Sequence, residues 1–140
     1  MRPLYETSGD RAAEREIISK AEEAWGVKAS KMPMKYKLDY ALLRGGEVKA
    51  FAEVKNRPKF NYPTYLLSLD KWSKAIALSE STGKPSVLVV RLVDKVMYYV
   101  FSKSDLPMEI REGGRRDRGD EDDIEPVVLI PIEKFKQVPA

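Results

Sequence analysis

The order of its segments predicts an α/β fold: a central mixed β-sheet flanked by helices. Three observations point there. A helical stretch with an apolar stripe opens the chain. Two strand-forming runs then meet at a glycine pair. A second helical stretch separates them from further strand-forming runs. The 140 residues suit one compact domain, residues 1–140, with a single core.

Taken in order, Thr7-Ser8-Gly9-Asp10 supplies hydroxyl and carboxylate caps for a helix from Arg11 to Trp25, which Gly26 stops. Val27–Ser30 reads as a short strand. Lys35–Arg44 and Glu47–Asn56 read as the two arms of a hairpin around Gly45-Gly46. Arg57–Tyr65, with its prolines, reads as a loop. A second helix is predicted over Ser68–Ser81, with Ser68 as its cap and Gly83 as its stop. Leu69, Trp72, Ile76 and Ser79 share one of its faces. Ser86–Leu92 and Lys95–Lys103 read as strands around a turn at Asp94. Ser104–Ile124 is highly charged and reads as a mobile loop, and Glu125–Ile132 as a last strand.

Composition narrows the chemistry. The chain has no cysteine and no histidine, so disulfides, Cys/His zinc sites and histidine-based triads are excluded. Any metal must be held by oxygen, which favours Mg²⁺, Mn²⁺ or Ca²⁺. The net charge is +3, which permits nucleic-acid binding without requiring it. Without a signal peptide or a long apolar run, a cytoplasmic protein with no membrane partner is expected.

The hairpin carries the most informative cluster. In the return arm, Val48, Ala50, Ala52 and Val54 alternate with Lys49, Phe51, Glu53 and Lys55, so Glu53 and Lys55 project side by side. A regular two-residue turn would pair Asp39 with Ala52. A three-residue turn or a one-residue bulge would place Asp39 opposite Glu53, and glycine-rich turns favour bulges. The bulged register is predicted. Two carboxylates brought together repel each other unless a cation joins them, and a hard divalent cation meets that need. It would activate water toward a phosphoryl oxygen, with Lys55 stabilising the charge that develops. The competing reading is an exposed sheet face crossed by ordinary salt bridges.

Helix geometry adds Glu14. Ile17, Ile18, Ala21 and Trp25 all lie within about 60° of it around the helix axis, whereas Glu16 falls on the opposite side. A carboxylate inside an apolar stripe is costly unless it is paired or metal-bound. A position near the helix start, meeting the dipole or reaching water, is the alternative.

Together these residues resemble the PD-(D/E)xK nuclease superfamily: Leu38-Asp39 in one strand, Glu53-Val54-Lys55 in the next, a helical Glu upstream and a helix downstream. The segment Gly9–Ile18 is similar to the opening helix of small archaeal-type Holliday-junction resolvases, and phage-encoded nucleases share the core. The resemblance implies a restriction-endonuclease-like αβββαβ core and a Mg²⁺-dependent DNA nuclease, with Mn²⁺ as a substitute. It implies that Asp39, Glu53 and Glu14 serve the metal and that Lys55 assists attack, leaving 5′-phosphate ends. Ser68-Leu69-Asp70-Lys71 resembles the start of the second helix, which makes Lys71 a further catalytic candidate. The proline that usually precedes the Asp is Leu38 here.

DNA contacts are expected from Asn56, Arg57, Lys59 and Tyr62, with Phe60 and Tyr65 as possible stacking surfaces. Lys31, Lys35 and Lys37 lie beside Asp39, and Arg115, Arg116 and Arg118 lie in the charged loop. The same loop residues could simply be solvated. Resolvases of this kind act as dimers, so the apolar Val127–Ile132 stretch would form a homodimer interface or else complete the sheet. A non-catalytic nucleic-acid-binding module and a protein-interaction module remain the alternatives to a nuclease.

Overall fold

The computed structural model describes residues 8–32, 38–105, 109–113 and 125–139. Helix α1 spans Ser8–Trp25 and is followed by strands β1 (Lys28–Lys31), β2 (Tyr40–Arg44), β3 (Glu47–Arg57) and β4 (Thr64–Ser68). Helix α2 spans Leu69–Thr82. Strands β5 (Ser86–Leu92), β6 (Lys95–Val100), β7 (Ile110–Gly113), β8 (Glu125–Pro131) and β9 (Lys136–Gln137) complete the described chain. Among these residues no helix is long and apolar enough to cross a membrane.

Six strands form a mixed sheet in the order β1-β2-β3-β5-β6-β9. The β3–β5 pair is parallel and the others are antiparallel. Because β3 and β5 lie at the centre, they are covered on both faces. Phe51–Val54 and Ser86–Val90 are therefore buried without interruption, as expected of central parallel strands. On one face, Ile17, Ile18 and Ala21 of α1 pack with Tyr40, Leu42, Ala52, Val54, Val87 and Val89. On the other, Trp72, Ala75, Ile76 and Leu78 of α2 pack with Ala41, Phe51, Leu88 and Val90.

Local signals place the helices. Ser68 caps α2, its Oγ accepting from Lys71 N at 3.3 Å. At the other end Gly83 takes φ +69°, and its N–H reaches Ser79 O at 2.8 Å. The buried Ser86 ties α2 to β5: its hydroxyl donates to Ala75 O and accepts from Ser79 Oγ.

Several expectations change. A second sheet, β4-β8-β7, packs over the α2 face, where one sheet was predicted. Strand β4 lies at the end of what reads as a loop, because Tyr65 and Leu67 point inward on alternate residues and pair with β8. Within the predicted mobile loop, Ile110–Gly113 is a strand, paired to the opposite side of β8. Val127, Val128, Leu129 and Ile130 are all buried, so this segment completes an internal sheet and does not offer an open strand edge to a second copy. Strand β6 ends at Val100, short of Lys103. Helix α1 is already formed at Ser8, while Thr7 of the expected cap lies outside the described residues.

Candidate active site

The hairpin register decides which residues meet. Arg44 pairs with Glu47 across Gly45-Gly46, and Leu43 pairs with Val48. The positive φ values of both glycines, +60° and +78°, make this a tight two-residue turn. Leu42 then pairs with Ala50, so Lys49 is passed over as a bulge. Beyond it Ala41 faces Phe51 and Tyr40 faces Ala52, which carries Asp39 to the level of Glu53. The predicted bulge is present, at Lys49 in β3, and the turn itself is a regular two-residue one.

Asp39 is fixed from two sides. Its Oδ2 accepts from Val54 N at 2.9 Å, and its carbonyl accepts from Met32 N at 2.6 Å. Glu53 is 1% exposed, on the sheet face that α2 covers. One of its oxygens, Oε1, is sealed from solvent without a hydrogen-bonding partner. Burial, and then the negative charge of Asp39, push the Glu53 carboxyl up to about 7, against the opposing pull of Lys55 and Lys71.

Two ammonium groups flank it. Lys55 Nζ lies 3.6 Å from Glu53 Oε2, and its side chain keeps 41% exposure, so this cation also reaches the surface. Burial would pull Lys55 down, but Glu53 and Asp39 outweigh it and hold the ammonium above its ordinary value. Lys71 Nζ, from the first turn of α2, lies 3.4 Å from Glu53 Oε1. The structure thus gathers Asp39, Glu53, Lys55 and Lys71.

Glu14 is placed differently. It is half-buried, as its position in the stripe predicts, while the Glu16 side chain is 70% exposed and pairs with Arg91. Glu14 accepts from Lys31 Nζ at 3.0 and 3.2 Å, and that ammonium sits over the Tyr40 ring at 4.9 Å. Burial lowers Lys31, but Glu14 and Asp39 overcome this and leave it raised. Among the described residues no three carboxylates converge closely enough to share an ion. Glu14 therefore meets the site through a cation, one that the sequence suggested only as a phosphate contact.

The surrounding residues divide. Tyr62 and Lys59 are exposed beside the end of β3. Asn56 is half-buried, and its Oδ1 accepts from Arg91 Nε at 3.2 Å. Arg57 is exposed, with its guanidinium 5.6 Å over the Tyr65 ring. Tyr65, read as a stacking surface, is a core residue at 1% exposure. Inward alternation through Tyr65 and Leu67 was a readable signal of that burial. Lys35, Lys37, Arg115, Arg116 and Arg118 lie outside the described residues.

Comparison with known proteins agrees with this geometry. A family model described as "Phage putative PDDEXK endonuclease" matches residues 1–138. Among solved structures, the chain is similar to Archaeoglobus fulgidus Hjc, a Holliday junction resolvase from an archaeal hyperthermophile. The TM-score is 0.55 at 18% identity, covering 67% of this chain and 74% of that one. At that identity the likeness establishes the fold, a restriction-endonuclease-like core. No curated protein matches the sequence.

Proposed function

The chain belongs to the PDDEXK endonuclease family whose model spans it, and from that premise we propose that it is a divalent-metal-dependent deoxyribonuclease hydrolysing phosphodiester bonds. The reading extends to a structure-selective endonuclease in recombination, repair or phage DNA processing, acting in the cytoplasm, that of the host if the protein is phage-encoded.

One observation carries the proposal: a fully buried Glu53 facing Asp39, whose Oε1 makes no hydrogen bond among the described residues and is met only by the Lys71 ammonium at 3.4 Å. A buried carboxylate oxygen without a hydrogen bond is destabilising, and a second acid beside it makes the pair worse. An all-oxygen donor pair of this kind fits a hard cation, so Asp39 and Glu53 would hold Mg²⁺, with Mn²⁺ as a substitute. Bound there, such an ion supplies Lewis-acid polarisation of a phosphoryl oxygen and a lowered pKa for water.

The chain's own groups have separate tasks. The Val54 N–H fixes one Asp39 oxygen and so orients the carboxylate. Lys55, anchored by Glu53 yet reaching the surface, stabilises the charge that builds on the phosphate oxygens during attack. Lys71 draws the Glu53 carboxyl down from the opposite side, against burial and Asp39. Glu14 fixes Lys31 at the Asp39 end of the site, as a positioning residue. Asn56, Arg57, Lys59 and Tyr62 supply the adjoining DNA surface, joined by Lys35 and Lys37. If the substrate is a junction, two cuts require two active sites, and a homodimer supplies them.

The test is cleavage of labelled single-stranded, duplex, flap and four-way-junction DNA with Mg²⁺, Mn²⁺ or EDTA. Asp39→Ala runs beside the wild type to exclude contaminating nuclease. Metal-dependent cleavage lost in the variant is expected. Binding without cleavage on every substrate would instead make the chain a non-catalytic DNA-binding module.

A further inference from the structure

We propose that Val93, at the tip of the β5–β6 hairpin, is an apolar wedge that packs against an unstacked base of branched DNA and so favours branched DNA over uninterrupted duplex. The proposal rests on the nuclease reading and names a residue that gives it structure selectivity.

The first observation is the backbone at Val93. Leu92 pairs with Lys95, so Val93 and Asp94 are the two residues of the turn. Val93 has φ +61°, and among the described residues no other non-glycine residue has a positive φ. Two-residue hairpin turns do call for positive φ at their first position, but glycine, asparagine or aspartate ordinarily supplies it. For a β-branched residue this conformation is a true outlier and is costly.

The second is that packing among the described residues does not offset this cost. Val93 is 52% exposed and belongs to neither buried cluster. An exposed valine by itself signifies little. A strained one persists only where its surroundings hold it, and such residues gather at functional sites. Here the surroundings are the central strands. Val93 N donates to Arg57 O at 2.9 Å, and Arg57 pairs with Leu92 across the parallel β3–β5 ladder.

The third is where the tip lies. Glu53, Lys55 and Arg57 alternate along one face of β3 and lead toward its carboxyl end. Lys55 is level with Val90, so Val93 stands three residues farther along, at roughly 10 Å. Ligands of α/β sheets bind outside the carboxyl ends of the parallel strands. Tyr62, 66% exposed, reaches the same arginine through a chain of rings. It meets Phe60 at 5.5 Å, Phe60 meets Tyr65 at 6.1 Å, and the Arg57 guanidinium lies over Tyr65. The two most exposed large hydrophobic residues among those described therefore both adjoin Arg57.

These features select the ligand's chemistry. Asp94 and Lys95 beside the tip are both exposed and cancel in charge, so the tip is a poor phosphate contact. Its apolar group suits the face of a base, while Arg57 alongside suits a neighbouring phosphate. The separation from Lys55 corresponds to about three base steps along a strand. A base within an intact stack offers no face, and unstacking costs least where pairing is already broken, as at a branch. Valine is stiff, and its backbone is fixed by the turn, so it loses little freedom on making the contact.

The experiment measures binding by fluorescence anisotropy, in EDTA, to a four-way junction and to an uninterrupted duplex of matching arm sequence. 2-Aminopurine placed beside the branch reports unstacking by becoming brighter. The variants are Val93→Gly and Val93→Asn, which accept positive φ, and each is checked by thermal melting. Both are expected to melt with the wild type or above it, because the strain is relieved. Both are expected to bind the junction about fivefold more weakly, to stay within about twofold on the duplex, and to lose most of the brightening. Wild-type junction affinity and brightening in Val93→Gly, or equal losses on junction and duplex, overturns the proposal and leaves Val93 as a strained surface residue. Should Val93→Gly not fold, Val93→Asn decides alone by the same outcomes. A wild type that neither binds nor cleaves DNA overturns the nuclease reading and this one together. A cleaving wild type without a preference for the junction, or with a preference that survives in Val93→Gly, overturns this one only.

Discussion

Lys71 Nζ lies 3.4 Å from Glu53 Oε1, an oxygen shut off from solvent and without a hydrogen-bonding partner. A helix and the central strand thus meet at one carboxylate. The cation offsets part of the cost of burying that charge, yet it stands where a divalent ion would be repelled by it. Replacing Lys71 with Met is therefore expected to leave Mn²⁺ affinity unchanged or stronger in alkaline buffer, where Glu53 is ionised without its help, while cleavage slows by about tenfold or more. Calorimetric Mn²⁺ titration beside single-turnover cleavage separates the two effects. A variant with weakened Mn²⁺ binding would show that Lys71 supports the metal instead of the reaction.

Metal binding should follow the proton on Glu53. With this carboxyl pushed up to about 7, an incoming cation must displace a proton at acidic pH. Mn²⁺ affinity is expected to rise about tenfold per unit below pH 7 and to level off above it. Titrations at pH 6, 7 and 8 check this. An affinity that is flat over the range would mean that Glu53 is already ionised or is not a ligand.

The same group sets a pH dependence of stability in metal-free protein. Its folded value lies above the unfolded value of 4.5. The folded state therefore holds the extra proton between these two points. The favourable contribution is complete below the unfolded value and is lost as pH rises to about 7. Glu53→Gln cannot titrate, so its stability relative to wild type should increase from pH 5 to pH 8, by roughly 2–3 kcal/mol. Denaturant melts of both proteins in EDTA measure the difference, and a gap that stays constant with pH would refute the assignment. Added Mg²⁺ should narrow the gap at pH 8.

Lys55 and Asp39 should fail in different ways. Asp39→Ala removes both a proposed ligand and the bond to Val54 N, so cleavage should fall to background while the fold is retained. Lys55→Ala should cost rate by at least about a hundredfold and change DNA affinity little. If turnover survives and affinity drops, Lys55 is a phosphate contact alone.

Glu14 and Glu16 lie two residues apart and should behave oppositely. Glu14→Gln weakens the hold on Lys31 beside Asp39 and should slow cleavage about tenfold. Glu16→Gln, which loses only a surface pair with Arg91, should stay within about twofold. The reversed order would remove Glu14 from the site.

What the sequence determined by itself is local. Ser68 and Gly83 bound α2 because capping is settled within a few residues. Gly45-Gly46 marks the hairpin because few residues other than glycine accept positive φ readily. Alternation assigns Glu53 and Lys55 to one face, and the 3.6-residue period separates Glu14 from Glu16. A one-residue bulge was legible from the glycine-rich turn, but its place at Lys49 was decided by the structure. What only the tertiary structure decided depends on partners distant in the chain. Five residues from Thr64 become a strand because β8 lies beside them, and a charged stretch from Ile110 becomes one for the same reason. Lys71 reaches Glu53 because the core packs α2 against the central strands, and Lys31 reaches Glu14 because β1 passes beneath α1. Such contacts are set by which surfaces are buried together, and no short window of sequence contains both sides of them.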